Sequence, residues 1–347
     1  MYCYENKSQV FTFDVDDAFM MIKDILSSET PHGTKIKLHG GEPFLVFSKI
    51  KLLCERIWKE KYNENYSIHI TTNGTLVHGE IQDWLYLHRD KVILKLSLDG
   101  DIYSHNINRS GSFEQIDIPF FVKCWPDLAV NMTVTPSTLP YFANNVKFMH
   151  SVGINSINTN FALLTDWSSQ ELRKIYHNQL NQLIKFYLEN PNIGPINIFK
   201  LDISRILNKD TFYSPCNVGQ KSTYDYASRQ YYPCHMFFPS VCRRDLTEVF
   251  KTDFSKRDGL ETSHCKACSF LNICRTCYAE NLIVRGSMAK RDMNLCYYQK
   301  ISFAALFNYE YMKILRMDSP SDKDILKMMV IRDCYEEIEN IERQLHE

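Results

Sequence analysis

Thirteen residues near the C-terminus, CKACSFLNICRTC, set Cys265, Cys268, Cys274 and Cys277 in a C-x2-C-x5-C-x2-C array. Cys216, Cys234 and Cys242 precede it and Cys296 follows, so most of the chain's 12 cysteines crowd into one stretch. Thiolates this dense hold metal or form a disulfide framework. Disulfides belong to oxidising compartments and to small domains short of a core, whereas this chain has 347 residues and opens with no signal peptide. Metal is the better reading. A zinc ribbon separates its two Cys-x2-Cys knuckles by roughly 15 to 20 residues. Only the segment 269–273 separates them here, and four close thiolates with further cysteines on either side suit an iron-sulfur cube. Zinc stays open on spacing, with His264 beside Cys265 as a further ligand.

The elements that must carry such a site follow from periodicity. Apolar spacing predicts helices over 15–27 (Asp14 as N-cap), 48–58, 79–87, 113–124 and 141–152. Strands are expected over 35–38, 66–71, 92–98, 128–134 and 156–160. Alternation at this pace argues for an α/β fold with parallel strands, a barrel or an open sheet. A long amphipathic helix is expected over 169–189, with Leu172, Ile175, Tyr176, Leu180, Leu183 and Phe186 on one face, then helices over 301–317 and 323–346. Cys54, Cys124 and Cys334 read as core residues, and Met20, Met21, Met328 and Met329 as core filler.

In such folds ligands gather at the C-terminal strand ends. Gly40, Gly41 and Glu42 follow one strand, Thr72 and Asn73 the next, Ser97 and Asp99 the third. A glycine pair alone is most often a tight turn, and Glu42 alone would be a carboxylate favoured by a helix N-terminus. Three such ends in succession point to one site.

Composition narrows the partners. With 40 basic and 41 acidic side chains the net charge is -1, so no global field draws nucleic acid or an anionic membrane. No run is long and apolar enough for a membrane helix, and the unpaired-looking cysteines suit a reducing cytoplasm.

On these residues a family becomes visible. The opening Tyr2-Cys3-Tyr4 resembles the end of the radical S-adenosylmethionine signature, C-x3-C-x2-C, whose cysteines hold a 4Fe-4S cluster. Gly40-Gly41-Glu42-Pro43 is similar to the family's GGEP segment, which contacts the amino group of the methionine moiety. Ser97 to Gly100, with His105, Arg109 and Gly111-Ser112-Phe113, is similar to the SLDG...H...R..GSF block of members with a SPASM domain. In them the serine and arginine help hold S-adenosylmethionine, a role carried over to Ser97 and Arg109. The cysteines from Cys216 to Cys296 resemble the SPASM array that binds two auxiliary 4Fe-4S clusters.

The resemblance implies a partial (β/α)6 TIM-like barrel over 1–165, a connection over 166–210, a SPASM domain over 211–300 and helices over 301–347. It implies that Cys216, Cys234 and Cys277 ligate one auxiliary cluster and Cys265, Cys268, Cys274 and Cys296 the other. The first cluster then either keeps an iron open to substrate or is closed by Cys242. The departures are one residue fewer before Cys277, Arg229 where a glycine is usual, and a front at which only Cys3 of the signature is present. The expectation is that an internal methionine has been taken as the start; otherwise the chain binds peptide without catalysis.

The implied activity is post-translational modification of a peptide or protein by hydrogen abstraction, with a flavodoxin or ferredoxin as electron donor. Sulfatase maturation is a further possibility within the family. Its members place an aspartate base after the second SPASM cysteine, where this chain has His235, itself a candidate base.

Overall fold

A computed structural model describes residues 12–28, 33–62, 65–207, 216, 218–257 and 259–346. Cys3, and with it the signature segment, lies outside them. The described chain forms two compact units, one running to Thr133 and including Asn144–Asn160, the other comprising Val134–Ala143 and the chain from Phe161 onward.

The first unit is built on strands β1 (Thr34–Leu38), β2 (Tyr66–Thr72), β3 (Val92–Ser97), β4 (Ala129–Val134) and β5 (Ser156–Phe161). They lie side by side in sequence order, as in a barrel wound in one direction, and β1 to β4 pair parallel. Interposed are helices α1 (Val15–Ser27), α2 (Phe47–Lys59), α3 (Glu80–Leu87), α4 (Ile102–Arg109), α5 (Ile118–Cys124) and α6 (Phe142–Ser151). Alternation decides which strand face is buried. Ile68, Ile70 and Thr72 of β2 and Val92, Leu94 and Leu96 of β3 are buried, while the alternate residues His69, Thr71, Lys95 and Ser97 are less so. This is the mixed α/β architecture with a parallel five-stranded sheet that the periodicity implied.

Two local expectations fail for identifiable reasons. The helix expected over 113–124 is a short 3-10 turn, Phe113–Gln115, followed by α5, whose N-cap Asp117 accepts from Phe120 N. Pro119, which has no N–H to give, therefore sits in the first turn of a new helix rather than inside one. Helix α4 was missed because its sequence is mostly polar, yet Asp101 caps it by accepting from Ser104 N at 2.9 Å.

The second unit centres on α7 (Gln170–Glu189) and, further on, α11 (Met293–Ile314). The buried stripe of α7 is Tyr176, Leu180, Leu183, Ile184 and Tyr187, turned slightly from the expected one, so Phe186 is only half-buried. Between these helices lie the hairpin β6 (Thr223–Asp225) and β7 (Gln230–Tyr232) and short helices α8 (Thr247–Lys251), α9 (Ser263–Lys266) and α10 (Tyr278–Arg285). Helix α11 starts well before residue 301, because Asp292 caps it, and it buries residues around most of its circumference. The single helix expected over 323–346 is two, α12 (Asp322–Asp333) and α13 (Tyr335–His346), parted at Cys334. Both pack on α11, burying Val330 from one and Ile338 and Ile341 from the other. Cys54, Cys124 and Cys334 are buried, whereas Met20 and Met329 stand out of the core. Among the described residues no helix is long and apolar enough to cross a membrane.

Candidate functional site

At the C-terminal ends of β1 and β2 one carboxylate ties two turns together. Glu42 accepts from Thr72 Oγ1 at 2.8 Å, from Asn73 N at 2.7 Å and from Phe44 N at 3.2 Å. Burial pushes its pKa up, and these three donors pull it back. A carboxylate offers about four acceptor sites, so roughly one is left, on Oε2. Neither Gly40 nor Gly41 adopts a positive φ, and a Cβ on either would meet open space. The fold does not require glycine there, and a ligand can lie against bare backbone. Asn73 turns its side chain onto Thr75, accepting from Thr75 N at 2.9 Å and from Thr75 Oγ1 at 2.8 Å.

The block after β3 is a latch. Asp99 is fully buried, and Arg109 grips it with two donors, Nε to Oδ2 at 2.8 Å and Nη2 to Oδ1 at 3.1 Å. Thr133 N adds a third at 2.8 Å, so Asp99 joins β3, α4 and β4. His105 accepts from Asp99 N at 3.3 Å through Nδ1, which leaves Nε2 to donate to Ser112 Oγ at 3.1 Å. Burial holds its pKa down at about 4, so the imidazole is neutral. Gly100 has φ of 116°, and a Cβ there would lie 2.3 Å from Asn145 Cγ. Asn145, which no sequence signal marked, accepts from Asp101 N and donates to Ser104 Oγ. Ser97 is half-buried at the end of β3, level with Asn131 on β4.

In the second unit the charges that act on Cys234, Cys268, Cys274, Cys277 and Cys296 link the array cysteines into two groups. Cys277 is influenced by Cys234 and Cys216, and Cys234 by Cys216. Cys274 is influenced by Cys296 and Cys268, and Cys296 by Cys268 and Cys265. Burial pushes Cys277 up to about 12 and Cys274 up to about 11, and it raises Cys234, Cys268 and Cys296 as well. Buried thiols of this kind ionise only beside positive charge, which is what a bound metal centre brings. Several are already solvated by protein donors. Cys277 Sγ accepts from Glu280 N and Cys234 Sγ from Met236 N, each at 3.4 Å, and Arg291 Nη1 reaches Cys274 Sγ at 2.9 Å. Among the described residues no three Cys, His, Asp or Glu side chains close around a single ion. A cube spreads its thiolates over four corners, wider than one ion's ligand shell. Cys242 is buried in an apolar cluster with Tyr232, Phe237, Val249 and Phe254, and Cys234 and Cys277 pack against that same cluster. His235 is half-buried, its Nδ1 3.9 Å from Cys234 Sγ.

The β6–β7 hairpin that separates Cys216 from Cys234 answers the question of the missing glycine. Arg229 closes its loop with φ of 54°, the left-handed conformation a glycine adopts freely. The turn survives because Asp225 accepts from Ala227 N, Ser228 N and Ser228 Oγ. Arg229→Gly is expected to stabilise the protein by about 1 kcal/mol, read by thermal unfolding, since the left-handed penalty exceeds glycine's entropic cost.

No family model matches the chain. It is 24% identical over 334 residues to a cysteine-type anaerobic sulfatase-maturating enzyme of Clostridium perfringens strain ATCC 13124, covering 86% of each chain, and equally identical over 336 residues to that of strain 13. Among solved structures it is similar to native anSMEcpe with bound AdoMet and Kp18Cys peptide, at a TM-score of 0.68 and 19% identity over 90% of this chain and 93% of that one. It also matches Streptococcus suis SuiB bound to its precursor peptide SuiA, at a TM-score of 0.53 and 17% identity over 84% of this chain and 72% of that one. The chain is an enzyme similar in sequence and in fold to the anaerobic sulfatase-maturating enzymes.

Proposed function

We propose that the enzyme modifies a peptide or protein, using one radical S-adenosylmethionine cluster and two auxiliary 4Fe-4S clusters. The observation that carries this reading is the sorting of seven cysteines into two thiol groups. Cys277 is influenced by Cys216 and Cys234 and not by its sequence neighbour Cys274, which supports two separate cubes. Cys265, Cys268, Cys274 and Cys296 would hold one auxiliary cluster, and Cys216, Cys234 and Cys277 the other. The second set either keeps an iron open to substrate or is closed by Cys242, whose apolar cluster also takes Cys234 and Cys277.

S-adenosylmethionine and its cluster, when bound, would supply 5'-deoxyadenosyl-radical chemistry for hydrogen abstraction from the substrate. The chain's own residues orient and shield that event. The remaining acceptor site on Glu42 suits an ammonium, and bare backbone at Gly40 and Gly41 admits the rest of the amino acid moiety. Thr72 and Asn73 fix the Glu42 carboxylate by donating to it. Asp99 positions Arg109, and Ser97 is held half-buried where a ligand above the strand ends meets it. Cys3 belongs to the radical cluster in this reading. A flavodoxin or ferredoxin would supply the electron, and His235, whose Nδ1 lies 3.9 Å from Cys234 Sγ, is a candidate base. That two structural neighbours were solved with peptides supports a peptide substrate.

Sulfatase maturation is the second reading, favoured by the names of the curated relatives. His235 in place of the aspartate weighs against it.

The test is anaerobic iron, sulfide and zinc analysis, followed by 5'-deoxyadenosine formation with added peptides. About eight irons per chain are expected from the two auxiliary clusters, at four irons per cube. Zinc without sulfide would sink the proposal. Turnover with a cysteine-containing sulfatase peptide in preference to other peptides would favour the second reading.

A further inference from the structure

The arginines of the second unit are not equivalent. Arg285 pairs with Asp292, and Arg257 with Glu261 at 3.3 Å. Arg291 has no carboxylate partner among the described residues. Its Nη1 lies 2.9 Å from Cys274 Sγ, and its Nε is buried without a hydrogen-bond partner. A guanidinium stays charged in proteins, and the groups that face this one are Cys274, Cys265 and Tyr278. A buried guanidinium with an orphaned donor is costly unless something of opposite charge sits beside it. Here that counter-charge is sulfur. The chain also fixes the position tightly. Asp292, next in sequence, accepts from Asn294 N and Leu295 N to cap α11 while pairing with Arg285, and Cys296 lies in the first turn of that helix.

We propose that Arg291 sets the reduction potential of the cluster held by Cys265, Cys268, Cys274 and Cys296, raising it above what those four thiolates alone would give. This rests on the cluster reading above. A cube on four thiolates becomes more negative on reduction, and a cation touching one ligand sulfur favours that reduced state. Arg291 is half-buried with its Nε withdrawn from solvent, so its field is screened less than that of an exposed cation. Its neighbours Cys274 and Cys265 belong to one group only, so the effect is selective for that cluster.

The test compares wild type, Arg291→Lys and Arg291→Met by anaerobic redox titration followed by electron paramagnetic resonance, with iron and sulfide content measured on each sample. Arg291→Met is expected to move the potential of this cluster to more negative values, Arg291→Lys to move it less, and neither to move the other auxiliary cluster. Unchanged potentials in variants with full iron overturn the proposal, as does an equal shift of both clusters. Should Arg291→Met lose iron, Arg291→Lys decides: a negative shift of this cluster alone supports the proposal, and no shift overturns it. Failure of the underlying reading is distinguishable, since wild type itself would then lack iron and sulfide.

Discussion

Replacing Cys234 and Cys277 together by serine is expected to remove about four irons per chain, whereas replacing Cys274 and Cys277 together is expected to remove about eight. The two double variants share Cys277 and differ only in its partner. If sequence adjacency governed ligation, Cys274 and Cys277 would serve one cube and their loss would cost only four. The structure groups them otherwise: Cys277 feels Cys234 and Cys216, while Cys274 feels Cys296 and Cys268. Cys277 also caps α10, its Sγ accepting from Glu280 N. Iron analysis after anaerobic reconstitution reads the difference directly. A loss of about four irons in the Cys274/Cys277 variant would refute the grouping. The buried Cys54 and Cys124 are the controls, since neither lies near the array in the chain and their replacement is expected to leave the iron unchanged.

The second large effect is expected at the latch after β3. Arg109→Ala should destabilise the protein by about 3 kcal/mol, because it strands the carboxylate of Asp99 in the interior. The side chain of Asp99 is wholly buried and that of Arg109 is 21% exposed, so the two halves of the pair are unequal. Asp99→Asn is therefore expected to cost less: it leaves the charge on the partner that reaches water, and the amide oxygen still accepts from Thr133 N. Chemical denaturation with both variants checks the order. Arg109→Ala should in addition weaken S-adenosylmethionine binding, since the geometry of the β3–α4 corner depends on this fork. Equal costs for the two variants would mean that the pair behaves as a solvated one.

How much of this was legible in the chain can be argued from particular places. The capped helix at Val15–Ser27 was readable, because Asp14 and the apolar spacing act within a few residues of one another. The alternation of strands and helices was readable for the same reason, and it sufficed for a parallel α/β sheet. The GGEP and SLDG segments marked the strand ends, since turns and charged residues after apolar runs are local features.

Where tertiary contacts overrode local preference, the sequence misled. A continuous periodic pattern over 323–346 does not reveal that α12 and α13 must bend at Cys334 to lay both apolar faces on α11. Asn145, far along the chain from the Asp99 latch, carried no local mark, yet it fills the space that only a glycine at 100 leaves free. Spacing fixed which cysteines exist and how far apart along the chain they can reach. Which thiols lie close to one another is set only by the fold, because proximity depends on where sulfur atoms meet in space: Cys277 is influenced by Cys234 and Cys216, and Cys296 by Cys268 and Cys265.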